Sequence, residues 1–378
     1  MAAPATLREP EERGDEDLVE AEGDLVEEVE PVRPANWSLQ IARVDRSIFD
    51  LYQSRRRGIL QLNPDFQREF VWDNHQQTRL VESVLARIPL PAFYLSEENE
   101  GETIVIDGQQ RLTTIFGFIE DRFPLAQLEL LPELNGKSFA HLEGKLQRRF
   151  EATYLTCFVL QPGTDSAVKF HISERLNVGG VARNAQEIRN GLFRGPGLEL
   201  IKRLAANTGP GSFLDVAGPL RKFRRMKADE LVLRAMAFLD LGPDKYTGET
   251  SRFLNEELQH LNHLPEKKRQ ELELRLSVAL IRTRGVFGEH AFRRYNPTEG
   301  TWTSQINGPL LEITVCGFDK YFPPGTALSQ HTAVEIERRF RRICGDSVFR
   351  DAITSATQAT SRVRTRFDLW MKELADVA

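Results

Sequence analysis

Asp107-Gly108-Gln109-Gln110-Arg111 places a carboxylate, two carboxamides and a guanidinium within one short turn of chain. The apolar run Thr103-Ile-Val-Ile106 precedes it, and Leu112, Ile115, Phe116, Phe118 and Ile119 follow at helical spacing. The pattern predicts a buried strand, a tight glycine turn and a helix start. The free N–H groups of a helix N-terminus beside an arginine suit a phosphate or another anion. An ordinary strand-to-helix turn with a solvated polar tip would explain the glycine equally well. It explains less well why four hydrogen-bonding side chains crowd one turn.

Other clusters bear on the same chemistry. In Gln67-Arg68-Glu69-Phe70-Val71-Trp72 an arginine lies close to two aromatic residues on a segment that Pro64 keeps extended. Arg68 there can clamp a phosphate, or it can be the solvated residue of an edge segment with core aromatics. Asn177 lies at a predicted helix end beside Gly179 and Gly180, where backbone can approach a ligand closely. Glu187 and Asn190, three apart, share a face of the next predicted helix and can orient a guanidinium or hold a divalent ion. The basic clusters Arg221-Lys222-Phe-Arg224-Arg225, Arg338-Arg339-Phe-Arg341-Arg342 and Arg362-Val-Arg-Thr-Arg366 make a candidate nucleic-acid footprint. Glu335 and Glu337 beside the second cluster fit a plain wet helix face equally well. The sequence holds no Walker-type phosphate loop, no G-x-S-x-G elbow and no H-E-x-x-H zinc motif. His260 and His263 are too tightly spaced for a nuclease metal finger and are expected to be surface residues.

The elements that must position these groups follow from periodicity and punctuation. Ile59–Leu62, Ala92–Leu95, Thr103–Ile106 and Tyr154–Leu160 read as strands. Asp73 or Asn74 is expected to cap a helix running to about Arg87, stopped by Pro89 and Pro91. Asp165 is expected to cap a helix to about Asn177, with a short helix over Ala185–Phe193 after it. Beyond Gly197 long helical patterns take over, at 227–240, 266–284, 328–345 and a helix or helix pair across 348–375. The fold class is therefore α+β. The expected organisation is an acidic disordered tail over 1–36, a mixed domain over 37–195 and a helical domain over 196–378, with the boundary marked by Gly195-Pro-Gly and Gly209-Pro-Gly.

Charge follows the same division. Residues 1–36 hold twelve acidic and three basic side chains, a balance of −9 in a chain of net charge −5, which leaves the remainder at +4. The tail lacks the apolar content to form a core, and the mildly basic body suits a polyanionic ligand. Cys157, Cys316 and Cys344 are scattered and odd in number, so neither a disulfide framework nor a zinc knuckle is expected. With no signal-peptide pattern and no run of about 18 apolar residues, the expectation is a cytoplasmic protein without a membrane partner.

The Asp107–Arg111 motif after a strand resembles the DGQQR signature of the GmrSD-type restriction endonuclease N-terminal domain family. Gln67-Arg68 with Trp72-Asp73, Glu82-Ser83 and Ile88-Pro-Leu-Pro91 are similar to the elements that flank that signature in the family. Arg175–Asn177 with Gly179-Gly180, and Gln186-Glu187-Ile188-Arg189-Asn190, are similar to downstream elements. Arg225-Met-Lys227, Glu230 to Arg234, Phe287-Gly288-Glu289 and Arg364 to Phe367 resemble the family's helical portion, so the ordered likeness runs over about 40–370. The resemblance implies a ParB/sulfiredoxin-like core that binds and hydrolyses nucleoside triphosphates with Mg²⁺ and licenses restriction of modified phage DNA. It implies that Arg111 and Arg68 contact phosphate and that Gln109 and Gln110 orient the nucleotide or attacking water. Asp107 would hold the turn or a magnesium ion through water, Gly108 would admit the phosphates, and Gln67, Asn177, Glu187 and Asn190 would complete the pocket. The HNH-type nuclease domain of the complete enzymes has no counterpart legible here, so DNA cleavage by this polypeptide alone is not expected and a separate nuclease subunit is. The alternative is a non-hydrolysing, ParB-like nucleotide switch or DNA-binding regulatory module.

Overall fold

The computed structural model describes residues 19–20, 40–62, 72–98, 101–176, 184–219, 223 and 226–378. They fall in two compact units, one drawn from Pro31–Arg194 and the other from Gly195–Ala378 together with Val19 and Glu20.

The first unit is mixed α+β. Its strands are β1 (Ile41–Ser47), β2 (Leu60–Gln61), β3 (Phe93–Glu97), β4 (Thr103–Asp107) and β5 (Tyr154–Leu160), and its helices are α1 (Ile48–Arg56), α2 (Asn74–Leu85), α3 (Gln109–Ile119), α4 (Gly144–Glu151), α5 (Ser166–Leu176) and α6 (Ala185–Leu192). The strands form one sheet in the order β1-β5-β3-β4-β2. β1 pairs antiparallel with β5 from Ile41↔Leu160 to Ser47↔Tyr154, β5 is parallel to β3, β3 antiparallel to β4, and β4 parallel to β2. β1 escapes sequence reading because it is an edge strand whose residues are mostly exposed, so no buried face imposes a pattern.

One face of the sheet carries the core. Phe93, Leu95, Val105, Leu155, Cys157 and Val159 meet Ile48 and Leu51 of α1, Val81 and Leu85 of α2, Leu112, Ile115 and Phe116 of α3, and Phe150 of α4. Ile104 and Ile106 alternate with Val105 and are buried too, because α5 and α6 also pack on β4. A strand covered on both faces reads as a continuous apolar run, which is why β4 is legible. At the start of α2, Asp73 forms a capping box with Gln76. Buried Glu82 accepts from the backbone N–H groups of Leu130 (2.6 Å) and Leu131 (3.0 Å), tying the 130–131 turn to α2.

The second unit is helical: α7 (Pro196–Ala206), α8 (Phe213–Ala217), α9 (Lys227–Asp240), α10 (Thr250–His263), α11 (Glu266–Phe287), α12 (Gly308–Tyr321), α13 (Gln330–Ile343), α14 (Ser347–Thr354) and α15 (Thr360–Ala375), with a small hairpin of β6 (Tyr295–Asn296) and β7 (Thr301–Trp302). α12 is its centre. Every residue from Gly308 to Phe318 is buried, and α9, α11 and α15 pack around it. Gly317 admits α15: a Cβ there would sit 2.5 Å from Leu374 and 2.7 Å from Trp370 Nε1. The Gly195-Pro196-Gly197 stretch is a tight helix start, with Pro196 at the first position of α7 and Asn262 Oδ1 of α10 accepting from Gly197 N at 2.8 Å. Val19 and Glu20, inside the stretch expected to be a disordered tail, are placed by contacts with this unit. No helix among the described residues is long and apolar enough to cross a membrane.

Candidate functional site

The β4–α3 turn is built as the sequence predicts, and its geometry is specific. Gly108 is the N-cap of α3 with φ of 94°, a left-handed conformation that favours glycine. A Cβ there would lie 2.4 Å from the Phe93 ring, so glycine also lets the turn lie flat on β3. The side chain of Gly108 being absent, no side-chain cap closes the helix start. The first-turn N–H groups of α3 thus carry the partial positive charge of a helix N-terminus.

Arg111 locks this turn. Its Nη2 donates to Asp107 Oδ2 at 2.9 Å and to the Ala92 carbonyl at 3.1 Å, and its Nη1 donates to the Pro91 carbonyl. Its guanidinium carbon lies 4.4 Å from the centroid of the Phe93 ring. Burial lowers the Arg111 pKa, and the Asp107 carboxylate opposes that shift. The guanidinium therefore fastens the end of β4 to the start of β3, and its residual positive charge sits beside the helix start. Phe93, Pro91 and Ala92 are the partners that sequence reading missed. Only the β3–β4 pairing brings them to the motif; Pro89 and Pro91 read in the sequence as the stop of the preceding helix.

The two glutamines differ. Gln109 is buried at 4% exposure, whereas Gln110 is partly exposed yet its Oε1 is enclosed without a hydrogen-bond partner. One turn on and on the same face of α3, the buried Thr114 hydroxyl also lacks a partner. Enclosed polar atoms without partners are uncommon in native proteins.

The Gln186–Asn190 stretch forms a second buried polar cluster on the far side of β4. Gln186, Glu187, Arg189 and Asn190 are each at most 4% exposed, and α6 packs on both β4 and α5. Glu187 completes a capping box with Asn184, its carboxylate accepting from Asn184 N at 2.8 Å. Asn190 Oδ1 accepts from Gln186 Nε2 at 2.9 Å, and Arg189 reaches Gln186 Oε1 at 3.2 Å while stacking on Phe170. Glu187 and Asn190 are thus internal to the fold and next to the strand that carries Asp107. Nearby, Lys169 of α5 pairs with Glu98 at 2.7 Å.

Other candidate residues are placed differently. Gln67, Arg68, Asn177, Arg221, Lys222, Arg224 and Arg225 lie outside the described residues. Arg338 and Arg339 pair with Glu335 at 2.7 and 2.8 Å, Arg341 with Glu337, and Arg342 with Glu373. Arg339 also reaches Glu373 and Asp376, so the cluster holds α13 against α15 with its charge largely met. Hydrogen bonds from Arg338 and Arg339 hold the Glu335 carboxyl down at about 2. Arg366 of the third cluster is a core residue, bonded to Glu312 at 2.6 Å. His260 is half-exposed, 3.3 Å from Asp240, and His263 is exposed. The three cysteines are free and buried. Among the described residues no group of three or more His, Cys, Asp or Glu side chains could hold a metal ion. A divalent ion at Asp107 would need further ligands from a bound phosphate and water.

Residues 48–194 match the family model described as the GmrSD restriction endonuclease, N-terminal domain. The match ends at the same residue, Arg194, as the mixed α+β unit. No curated protein and no solved structure matches the chain.

Proposed function

We propose that the mixed unit is a ParB/sulfiredoxin-like domain that binds a nucleoside triphosphate and hydrolyses it with Mg²⁺, as a component of a restriction system acting on modified phage DNA. The observation that carries this reading is the uncapped start of α3 behind Gly108, with Arg111 and Asp107 locked around it and the Gln110 amide oxygen left without a partner. The family match over 48–194 supports the restriction setting.

In this reading the phosphates sit on the first-turn N–H groups of α3, where helix polarity and the Arg111 charge favour an anion. Arg111 acts mainly as the strut that fixes those groups in place, and Asp107 holds Arg111. Magnesium, when bound, would neutralise charge at the phosphates, and Asp107 would hold it through its water shell. Gln110 Oε1 is an acceptor that can orient the attacking water, and Gln109 holds the helix start from within. Arg68 and Gln67 supply further phosphate contacts, and Asn177 closes the pocket. Glu187 and Asn190 support β4 from behind. Charge stabilisation at the phosphoryl group is the main catalytic contribution of such a site.

A thermal-shift panel of nucleoside triphosphates and deoxynucleoside triphosphates, with and without Mg²⁺, tests binding, and phosphate release with and without DNA tests turnover. A raised melting temperature with turnover supports the proposal. No turnover of any nucleotide under these conditions would sink the enzymatic claim.

One observation favours a second reading. The Arg111 guanidinium is already engaged by Asp107 and two backbone carbonyls, which leaves less of it for a transition state. A non-hydrolysing nucleotide switch that changes affinity for DNA or a partner fits that arrangement. It predicts a thermal shift without phosphate release.

A further inference from the structure

Glu20 belongs to the most acidic part of the chain, yet it is bound. Its carboxylate accepts from Arg294 Nε at 2.8 and 3.0 Å and from Asn307 Nδ2 at 2.9 Å. Val19, 7% exposed, forms a parallel bridge with Ile306, and Glu20 N donates to the Ile306 carbonyl at 2.9 Å. One backbone hydrogen bond, a buried apolar side chain and a paired carboxylate hold the pair, the elements that strand addition uses for affinity and selection.

The receiving surface is built for that carboxylate. Asn307 caps α12 by accepting from Leu310 N at 3.0 Å, and its amide also donates to the Ile353 carbonyl at 2.7 Å, which fixes the Nδ2 that meets Glu20. The acid therefore sits beside the N-terminus of a 14-residue helix, where a negative charge is favoured. It forms one wall of a polar cavity of about 230 Å³ that Arg294, Gln305, Asn307 and Thr354 help to line. The bound pair Val19-Glu20 closes a sequence tetrad, Asp17-Leu-Val-Glu20, that recurs as Asp24-Leu-Val-Glu27. A solvating leader needs only charge, and a four-residue repeat with apolar residues is more than that requires.

We infer that the Ile306–Asn307–Arg294 surface is a docking site for an extended acidic peptide carrying an apolar–Glu pair, occupied by the chain's own Val19–Glu20. A partner presenting the same pair would bind by displacing this strap. The inference is independent of the nucleotide reading.

The test uses the full chain and a fluorescein-labelled peptide of residues 14–23, read by anisotropy. The variant Val19→Asp/Val26→Asp, which disables both copies of the segment, is expected to bind the peptide at least tenfold more tightly than the wild type, whose site is filled. Adding Arg294→Ala to that variant, or using a peptide with Glu20→Ala, should weaken binding at least tenfold. Equal binding by wild type and double variant, no binding by either, or binding indifferent to Glu20 would overturn the inference. A measurement on the wild type alone guards against misfolded variants. Excess unlabelled peptide should accelerate hydrogen exchange at the Glu20 amide at least tenfold, and an unchanged rate would overturn displacement.

Discussion

Arg111 Nη2 bridges Asp107 Oδ2 and the Ala92 carbonyl, at 2.9 and 3.1 Å, so one guanidinium joins the end of β4 to the start of β3. Its removal takes a charged donor from the partly buried Asp107 carboxylate and Ala92 carbonyl. Arg111→Ala is expected to lower stability by about 1–3 kcal/mol as well as to remove the nucleotide-induced thermal shift. Arg111→Lys should recover part of the charge effect but not the fork geometry. Calorimetry of nucleotide binding below the variant's melting temperature separates the two losses.

Gln110 gives the cleaner probe, because nothing in the fold depends on its amide oxygen. Gln110→Ala should leave the unfolding free energy from urea titration within about 0.5 kcal/mol of wild type. Phosphate release should fall about tenfold or more, the scale of a lost positioning group. A variant with unchanged turnover would remove Gln110 from the reaction.

Gly108→Ala combines a positive φ with a Cβ 2.4 Å from the Phe93 ring. A cost of about 2 kcal/mol or more is expected, from left-handed strain and from overpacking against a core aromatic. Denaturant titration followed by near-UV circular dichroism would register both the lost stability and the displaced Phe93.

In the helical unit, Glu312 is fully buried between Arg234 and Arg366, and Arg366 also donates to the Thr357 carbonyl at 2.7 Å. Glu312→Ala strands two buried guanidinium groups and should cost about 3–5 kcal/mol. Glu312→Gln should cost less, since it keeps acceptor oxygen at that point. Urea unfolding of both variants gives the ordering.

Glu257 of α10 is fully buried, neither of its oxygens has a hydrogen-bond partner, and burial with Asp240 nearby pushes its carboxyl up to about 9. The folded chain keeps a proton that the unfolded chain releases above the ordinary glutamate range. Stability from this group is therefore greatest below about pH 4.5 and falls as pH rises towards 9. Between pH 5 and pH 8 the wild type should lose on the order of 2–4 kcal/mol relative to Glu257→Gln, which has no proton to release. Urea titrations of both proteins at the two pH values measure the difference.

Local signals carried much of the mixed unit. β5 runs over the predicted residues, and α3 starts at the predicted glycine turn, because a strand buried on alternate residues and a helix with one apolar face leave a period in the sequence. α9 also spans its predicted residues, although Leu231 to Leu239 are all buried. α12 was missed: its Gly308–Phe318 stretch is buried all round, so no polar face sets a helical period, and Ile313, Thr314 and Val315 read as strand formers. α10 and the β6–β7 hairpin were likewise read only as part of a helical region.

The sequence by itself determined the candidate turn, its chemistry and the α+β character of the unit that holds it, because strand, glycine and helix start are properties of adjacent residues. Tertiary structure alone decided what those side chains meet. Strand pairing brought the Pro91 and Ala92 carbonyls and the Phe93 ring to Arg111, and helix packing turned Glu187 and Asn190 inward. It also gave the α13 arginines acidic partners on α15 and seated Glu20 on Arg294 across more than 270 residues of chain. Such pairings arise from long-range closure, which leaves no periodic trace in the residues that make them.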